Sequence, residues 1–238
     1  MRLSLCFFLL SSFAFAQNRN AMPQLQTPIP FAGYEFLNRK AVYSHSDTLE
    51  EGSYLFPQQA SAATIKLKNG RLYTNLKAMV NLLDNELLFQ DSLGQNYSAV
   101  VPIDFVEFDG VGNDTIKTVF KTGFPATDGF TENTFYEVLS EGSLTLLKAY
   151  KVSYVDRTSI QSSVPIRRYD TKEVLYVYDK QNGIRKISKN KKEILEILTG
   201  KTQEVSAYVS SHKINFKSEK ELGDLFTYYN QLLSSRSH

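Results

Sequence analysis

The 238-residue chain is 42% hydrophobic, 13% aromatic and 22% charged, a globular composition with too many large apolar groups for a disordered polypeptide. Twenty-seven Lys and Arg against 25 Asp and Glu leave a formal charge of +2, which argues against a general nucleic-acid binder, and twelve Gly with seven Pro exclude collagen-like or low-complexity character. The length suits one large β-rich domain or two small ones.

The first sixteen residues read as an export leader. Met1-Arg2 is a short positive region, Leu3 to Phe15 is apolar apart from Ser4, Ser11 and Ser12, and Ala14 and Ala16 put small residues where a signal peptidase reads. Cleavage is expected between Ala16 and Gln17. A membrane span needs about 20 apolar residues, and this run is shorter, so no transmembrane segment is expected after cleavage. Cys6, the one cysteine, leaves with the leader. The mature chain then has no disulfide, thiol nucleophile or Cys-ligated metal site, and its stability must come from burial. The expected location is periplasmic or secreted.

Residues 17–33, with Pro23, Pro28 and Pro30, read as an extended arm. Residues 34–188 read as an antiparallel β domain built from hairpins. In Thr64 to Thr74 the pair Asn69-Gly70 suits a type I′ turn, which would set Leu67 opposite Leu72 and Ile65 opposite Thr74, with Lys66 and Tyr73 on the other face. A second hairpin is expected to turn at Asp84-Asn85, pairing Leu82 with Leu87 and Val80 with Phe89. Others turn near Glu141-Gly142 and at Asn182-Gly183, with strands over Ala99 to Phe108 and Thr115 to Phe120 between them. Strands joined by tight turns are antiparallel, so the expectation is α+β: a meander of roughly 8–11 strands, either a sandwich or a curved half-barrel.

From 189 to 238 the hydrophobic period becomes helical. Lys191 to Leu198 ends at Gly200, and Gln203 to Ser211 forms a second helix. Ser218 with Glu221 three residues on makes a capping box for a third, whose Leu222, Leu225, Phe226, Tyr229, Leu232 and Leu233 form one stripe. The helices should pack as a subdomain on the sheet.

Candidate chemistry is sparse. His45, His212 and His238 have no metal-ligand spacing, and no G-x-S-x-G elbow accompanies them. Asp104, Glu107, Asp109 and Asp114 raise a calcium loop, but Asp109-Gly110 and Asn113-Asp114 are turn chemistry. A carboxylate pair from this set is the alternative enzymatic reading, a hydrolase of an envelope polymer. The basic run Arg185, Lys186, Lys189, Lys191, Lys192, and Arg167-Arg168 ahead of a strand, suit anionic lipid headgroups or a plain solvated surface. Phe124 and Phe130, in a Gly/Pro-rich connection, would either contact a ligand or partner or plug the open end of the sheet. No cofactor motif is present.

Gly52-Ser53-Tyr54-Leu55-Phe56 with the Asn69-Gly70 hairpin, Phe135-Tyr136-Glu137-Val138-Leu139-Ser140-Glu141-Gly142 with Leu146-Leu147-Lys148, and the run from Lys191-Lys192 to Tyr228-Tyr229-Asn230 together resemble a family of secreted and envelope proteins of Gram-negative bacteria with no assigned activity. The resemblance implies export and a shared fold, and carries over no catalytic or binding residue. The expected role is non-catalytic binding or scaffolding, with an envelope protein as partner or a lipid-like ligand in an apolar groove.

Overall fold

Among the described residues, twelve strands and three helices follow in the order β1 (Arg39–Ala41), β2 (Leu49–Glu51), β3 (Leu55–Leu67), β4 (Leu72–Asn81), β5 (Glu86–Gln90), β6 (Asn96–Ala99), β7 (Ile103–Phe108), β8 (Thr118–Lys121), β9 (Tyr136–Ser140), β10 (Leu144–Ser159), β11 (Ser162–Asp179), β12 (Gly183–Ile187), α1 (Lys191–Ile197), α2 (Thr202–Ser211) and α3 (Glu219–Ser234). The computed structural model describes residues 39–42, 48–111, 117–159 and 162–235. The leader, with Ala16 and Gln17, the arm, His45, Asp114 and His238 lie outside them.

The α+β reading with a mainly antiparallel sheet and three C-terminal helices holds. Eleven strands run in the order β1-β6-β5-β4-β3-β7-β8-β9-β10-β11-β12, and β2 lies parallel beside β11. From β3 to β12 the meander is broken once, where β7 does not follow β6 laterally but returns beside β3; β1 lies beyond β6 and β2 beside β11. Only residues 100–102 join β6 to β7, so the expected strand over Ala99 to Phe108 is two strands with a corner at Pro102. Four residue steps reach at most about 14 Å, whereas four ladder spacings across a flat sheet need about 19 Å. The sheet therefore has to coil. Two irregularities in the β3–β4 ladder accommodate this, one after Phe56 and one where Asn75 takes a positive φ of 58°, since bulges bend a strand and raise its twist. The coil is not closed into a barrel. Ile65, Tyr73, Val80, Phe89, Phe108 and Phe120 fill its inside with almost no exposure.

Two registers differ from the sequence reading, for reasons of turn chemistry. The first hairpin uses a three-residue loop, Lys68-Asn69-Gly70: the Leu67 and Arg71 backbones close it, and Lys66 pairs with Leu72. Gly70 alone carries the positive φ, 89°, as in a type I turn followed by a left-handed residue. Asn69 instead accepts from the Arg71 N–H at 3.1 Å. The one-residue slip exchanges faces, so Tyr73 joins Ile65 in the core while Leu72 and Thr74 are only half-buried. The second hairpin slips by two: Val80 pairs with Leu87 and Ala78 with Phe89. The Asn81 side chain accepts from the Leu83 and Asp84 N–H groups at 3.0 Å each, which spreads the loop over four residues. An even slip leaves the faces unchanged.

β10 and β11 form the longest ribbon, paired from Leu144↔Asp179 to Ser159↔Ser162. Its base is covered on both faces. On one, Leu146, Leu175 and Val177 meet Leu222, Leu225 and Phe226 of the helical layer; further along the same face, Tyr150 and Val152 pack on the core of the coil. On the other, Leu147, Ala149 and Tyr176 lie beneath Phe124 and Tyr136. The distal half is covered less: β2 lies beside Ile166 to Arg168 and Tyr54 packs on Tyr169 with ring centroids 4.6 Å apart, while Tyr154, Val155 and Arg168 stay exposed.

The helices start and dock as their sequences dictate. Asn190 caps α1 by accepting from Lys192 N–H at 2.9 Å, and Ser218 caps α3 by accepting from Glu221 N–H at 3.3 Å. Only this half of the expected capping box forms, because the Glu221 carboxylate accepts from Asn215 N–H at 2.7 Å instead. Asn230 fixes the far end of α3 to the β9–β10 turn, accepting from Leu144 N–H at 3.0 Å and donating to Leu144 O at 2.8 Å. Gly223 lets α3 approach β9 closely: a Cβ there would stand 2.9 Å from the Leu139 carbonyl oxygen, nearer than side-chain carbons tolerate.

Candidate functional site

A groove of about 510 Å³ opens where the β11–β12 turn meets α1 and α3. Leu144, Val177, Ile197 and Leu233 form its apolar wall, Tyr229 donates its hydroxyl to the Thr199 carbonyl at the edge, and Asp179, Arg185 and Glu196 bring charge. The volume falls in the range of small-ligand sites. Arg185 is exposed and enters no ion pair among the described residues. Asp179 is committed to the turn, accepting from Gln181 N–H at 2.9 Å and from the Asn182 side-chain amide. These two hydrogen bonds hold its carboxyl below the usual carboxylate range. A general acid near neutral pH needs the opposite shift, so Asp179 is placed to hold a turn rather than to donate a proton. The sequence showed this turn but not the groove, which exists only because α1 and α3 pack across its end.

A buried charge cluster sits where the two cores on one sheet face meet. Along β10 the inward positions run Leu146, Lys148, Tyr150: Leu146 belongs to the helical core, Tyr150 to the core of the coil, and Lys148 fills the seam between them. Lys148 is only 7% exposed. Its Nζ lies 2.9 Å from Glu219, 3.0 Å from Glu137 and 3.8 Å from Glu173. Glu219 also receives Lys189 at 2.8 Å, and the Tyr150 hydroxyl donates to Glu137. Burial works against the charged Lys148, but Glu137, Tyr150 and Glu219 outweigh it, and its pKa is raised. Burial also opposes ionised Glu219, but hydrogen bonds from Lys189 and Lys148 outweigh it and hold the carboxyl low. Glu219 opens α3, so the cluster pins the helical layer to the sheet.

This cluster has a definite pH signature. A depressed Glu219 contributes stability above its ordinary value of 4.5 and loses it as pH falls through the folded value. A raised Lys148 contributes below its ordinary value of 10.5 and loses it only as pH rises towards the folded value. The urea midpoint should therefore be flat through neutrality and fall on acidification. Glu219→Gln should lower the neutral plateau and reduce the acid-side drop, read from urea unfolding at neutral and acid pH.

The remaining candidates separate. Phe124 is buried and Phe130 half-buried against the outer face of β9–β11. Phe124 packs edge-on against Tyr136 and Tyr178, and Phe130 against Tyr136 and Tyr176, while Tyr176 donates to Asp128 at 2.9 Å. Burial and then Asp128 push the Tyr136 hydroxyl up to about 12. These rings cover the sheet, and Phe130 keeps part of its surface open to solvent. Asp104 pairs with Lys66 at 3.0 Å, and Glu107 and Asp109 share Lys117; spread along the β7 region, they do not converge on a loop. Among the described residues no three His, Cys, Asp or Glu gather as metal ligands. His212 ends α2 stacked on Tyr208 at 4.0 Å. Of the basic run, Lys189 serves Glu219, Lys192 stands 3.9 Å from Glu196, and Lys191 lies over the Phe216 ring. Arg167 and Arg168 lie inside β11 rather than ahead of it.

No family model, curated protein or solved structure matches this chain. Among the described residues no helix is long and apolar enough to cross a membrane. The reading of function therefore rests on the geometry above, chiefly on the groove and on the distal half of the β10–β11 ribbon. Four of the six exposed large hydrophobic residues described, Leu49, Tyr154, Val155 and Val164, are on that ribbon or on β2 beside it.

Proposed function

We propose that this chain is an exported protein of the bacterial envelope or its surroundings that works by binding or scaffolding rather than by catalysis. The observation that carries this reading is the distal ribbon. The ribbon runs past the covered body with the short strand β2 added beside it, and exposes Tyr154 on one face and Val155 on the other. Exposed apolar groups gathered on one element mark contact surfaces. The leader over residues 1–16 and the resemblance to secreted and envelope proteins of Gram-negative bacteria support export. A lipid-like ligand is the second reading. It would have to use the groove beside Arg185, because side chains fill the inside of the coil.

The test is expression of the full chain in a Gram-negative host, with fractionation, mass analysis and a photo-crosslinking residue at position 155 or, as control, at exposed Lys220 on α3. The expected product begins at Gln17, lies outside the cytoplasm and gives adducts from position 155 but not from 220. A cytoplasmic chain retaining Met1 would overturn export, and equal adducts from both positions would overturn the ribbon as the contact element.

A further inference from the structure

We propose that the outward face of the distal β10–β11 ribbon docks on the surface of an anionic lipid bilayer. The two faces of this ribbon differ in how their charges are used. On the face continuous with the core of the coil, Asp156 holds Arg167 through two hydrogen bonds of 2.7 and 2.8 Å. The Arg167 guanidinium lies over the Tyr154 ring at 4.1 Å, and Tyr154 packs on Tyr169. That face is internally neutralised.

The opposite face is not. The cross-strand register sets Lys151 opposite Lys172, Ser153 opposite Asp170, Val155 opposite Arg168 and Arg157 opposite Ile166. β2 adds Leu49 beside Ile166 and Glu51 beside Arg168. Four cations thus share a face with two carboxylates, and Arg157, Arg168 and Lys172 enter no ion pair within reach among the described residues. Lys151 donates to the Asp128 carbonyl and stands over Phe130. Like charges directly opposite on a ladder repel, so the Lys151–Lys172 pair gains from an external anion. Between these cations Val155 is 60% exposed and Leu49 57%.

Cations interleaved with single aliphatic side chains on a slender ribbon suit a fluid interface. Phosphates of the headgroups meet Lys and Arg, while Val155 and Leu49 enter the acyl boundary. Neither of the two described pockets is lined by residues of this face. The inference rests on the exported, binding role proposed above and names its target.

The experiment is co-sedimentation of the purified mature chain with phosphatidylcholine vesicles, with and without phosphatidylglycerol, over a range of salt. Binding is expected only with phosphatidylglycerol, weakening as salt rises. The double variant Arg168→Glu/Lys172→Glu should lower the partition coefficient at least about tenfold with its urea midpoint retained, and Val155→Asp should lower it too. Lys220→Glu, the same kind of charge reversal on α3, should bind as the parent does. Absence of phosphatidylglycerol-dependent sedimentation, or undiminished binding by the folded double variant, would overturn the proposal. Protein adducts from position 155 in cells without vesicle binding would overturn the bilayer target and leave the binding role standing; retention in the cytoplasm would overturn both.

Discussion

Lys148→Ala is expected to destabilise the protein by about 3 kcal/mol, because removing one member of a buried ionic cluster strands the others. Glu137 and Glu219 would face each other across the seam, with Lys189 still paired to Glu219. Substituting Lys148→Met preserves most of the apolar stem, so its deficit should isolate the charge. Glu219→Gln combined with Lys148→Met should cost less than the sum of the single changes, since the double variant removes both a stranded carboxylate and its partner. Urea unfolding of the four proteins in one buffer gives the cycle directly. Glu137 keeps its carboxylate in the double variant, so a deficit that persists there measures the acid left facing the seam without Lys148.

Phe226→Ala is expected to cost about 4 kcal/mol. Phe226 is fully buried and sits with Leu222 and Leu225 on the stripe of α3 that covers Leu146, Leu175 and Val177. The loss should appear as one cooperative transition, with far-ultraviolet ellipticity and tyrosine fluorescence changing together, because helix and sheet residues share that core. The tyrosine signal reports largely on the sheet, through Tyr73, Tyr136 and Tyr176. Early loss of helix with the sheet signal intact would mean that the helical layer is a separable lid.

Much of the architecture could be read in the residues because local and global signals agree there. Asn69-Gly70, Asn182-Gly183, the Ser218 cap and the α3 stripe each specify an element without help from elsewhere. The misreadings have a common cause. Asn69 could supply a left-handed backbone or a side-chain acceptor, and the same dipeptide serves two loops of different length; only the ladder as a whole decides, and it chose the one that buries Tyr73. Asn81 acted in the same way on the second turn. The distal ribbon has no signature in the sequence, because Lys151 to Lys172 mixes charge and polarity on both faces and period-two alternation has nothing to report. Phe124 and Phe130 were visible as unusual, but whether a loop ring meets solvent or a sheet depends on what folds beneath it. The groove joins β10, β11, β12, α1 and α3, and the Lys148 cluster joins β9, β10, β11 and α3; both bring together residues far apart in sequence and have no local signature.

The order in which the chain leaves the ribosome gives the helical layer a further consequence. Leu146, Leu175 and Val177 emerge well before Phe226, so until α3 is made their oily strip lacks the part of its cover that Leu222, Leu225 and Phe226 supply. During that interval the nascent polypeptide is a natural client for a holdase, and a product interrupted before α3 would carry the strip permanently and tend to clump. Stop codons placed just before Ser218 should therefore be far more damaging to soluble yield than their small loss of mass suggests.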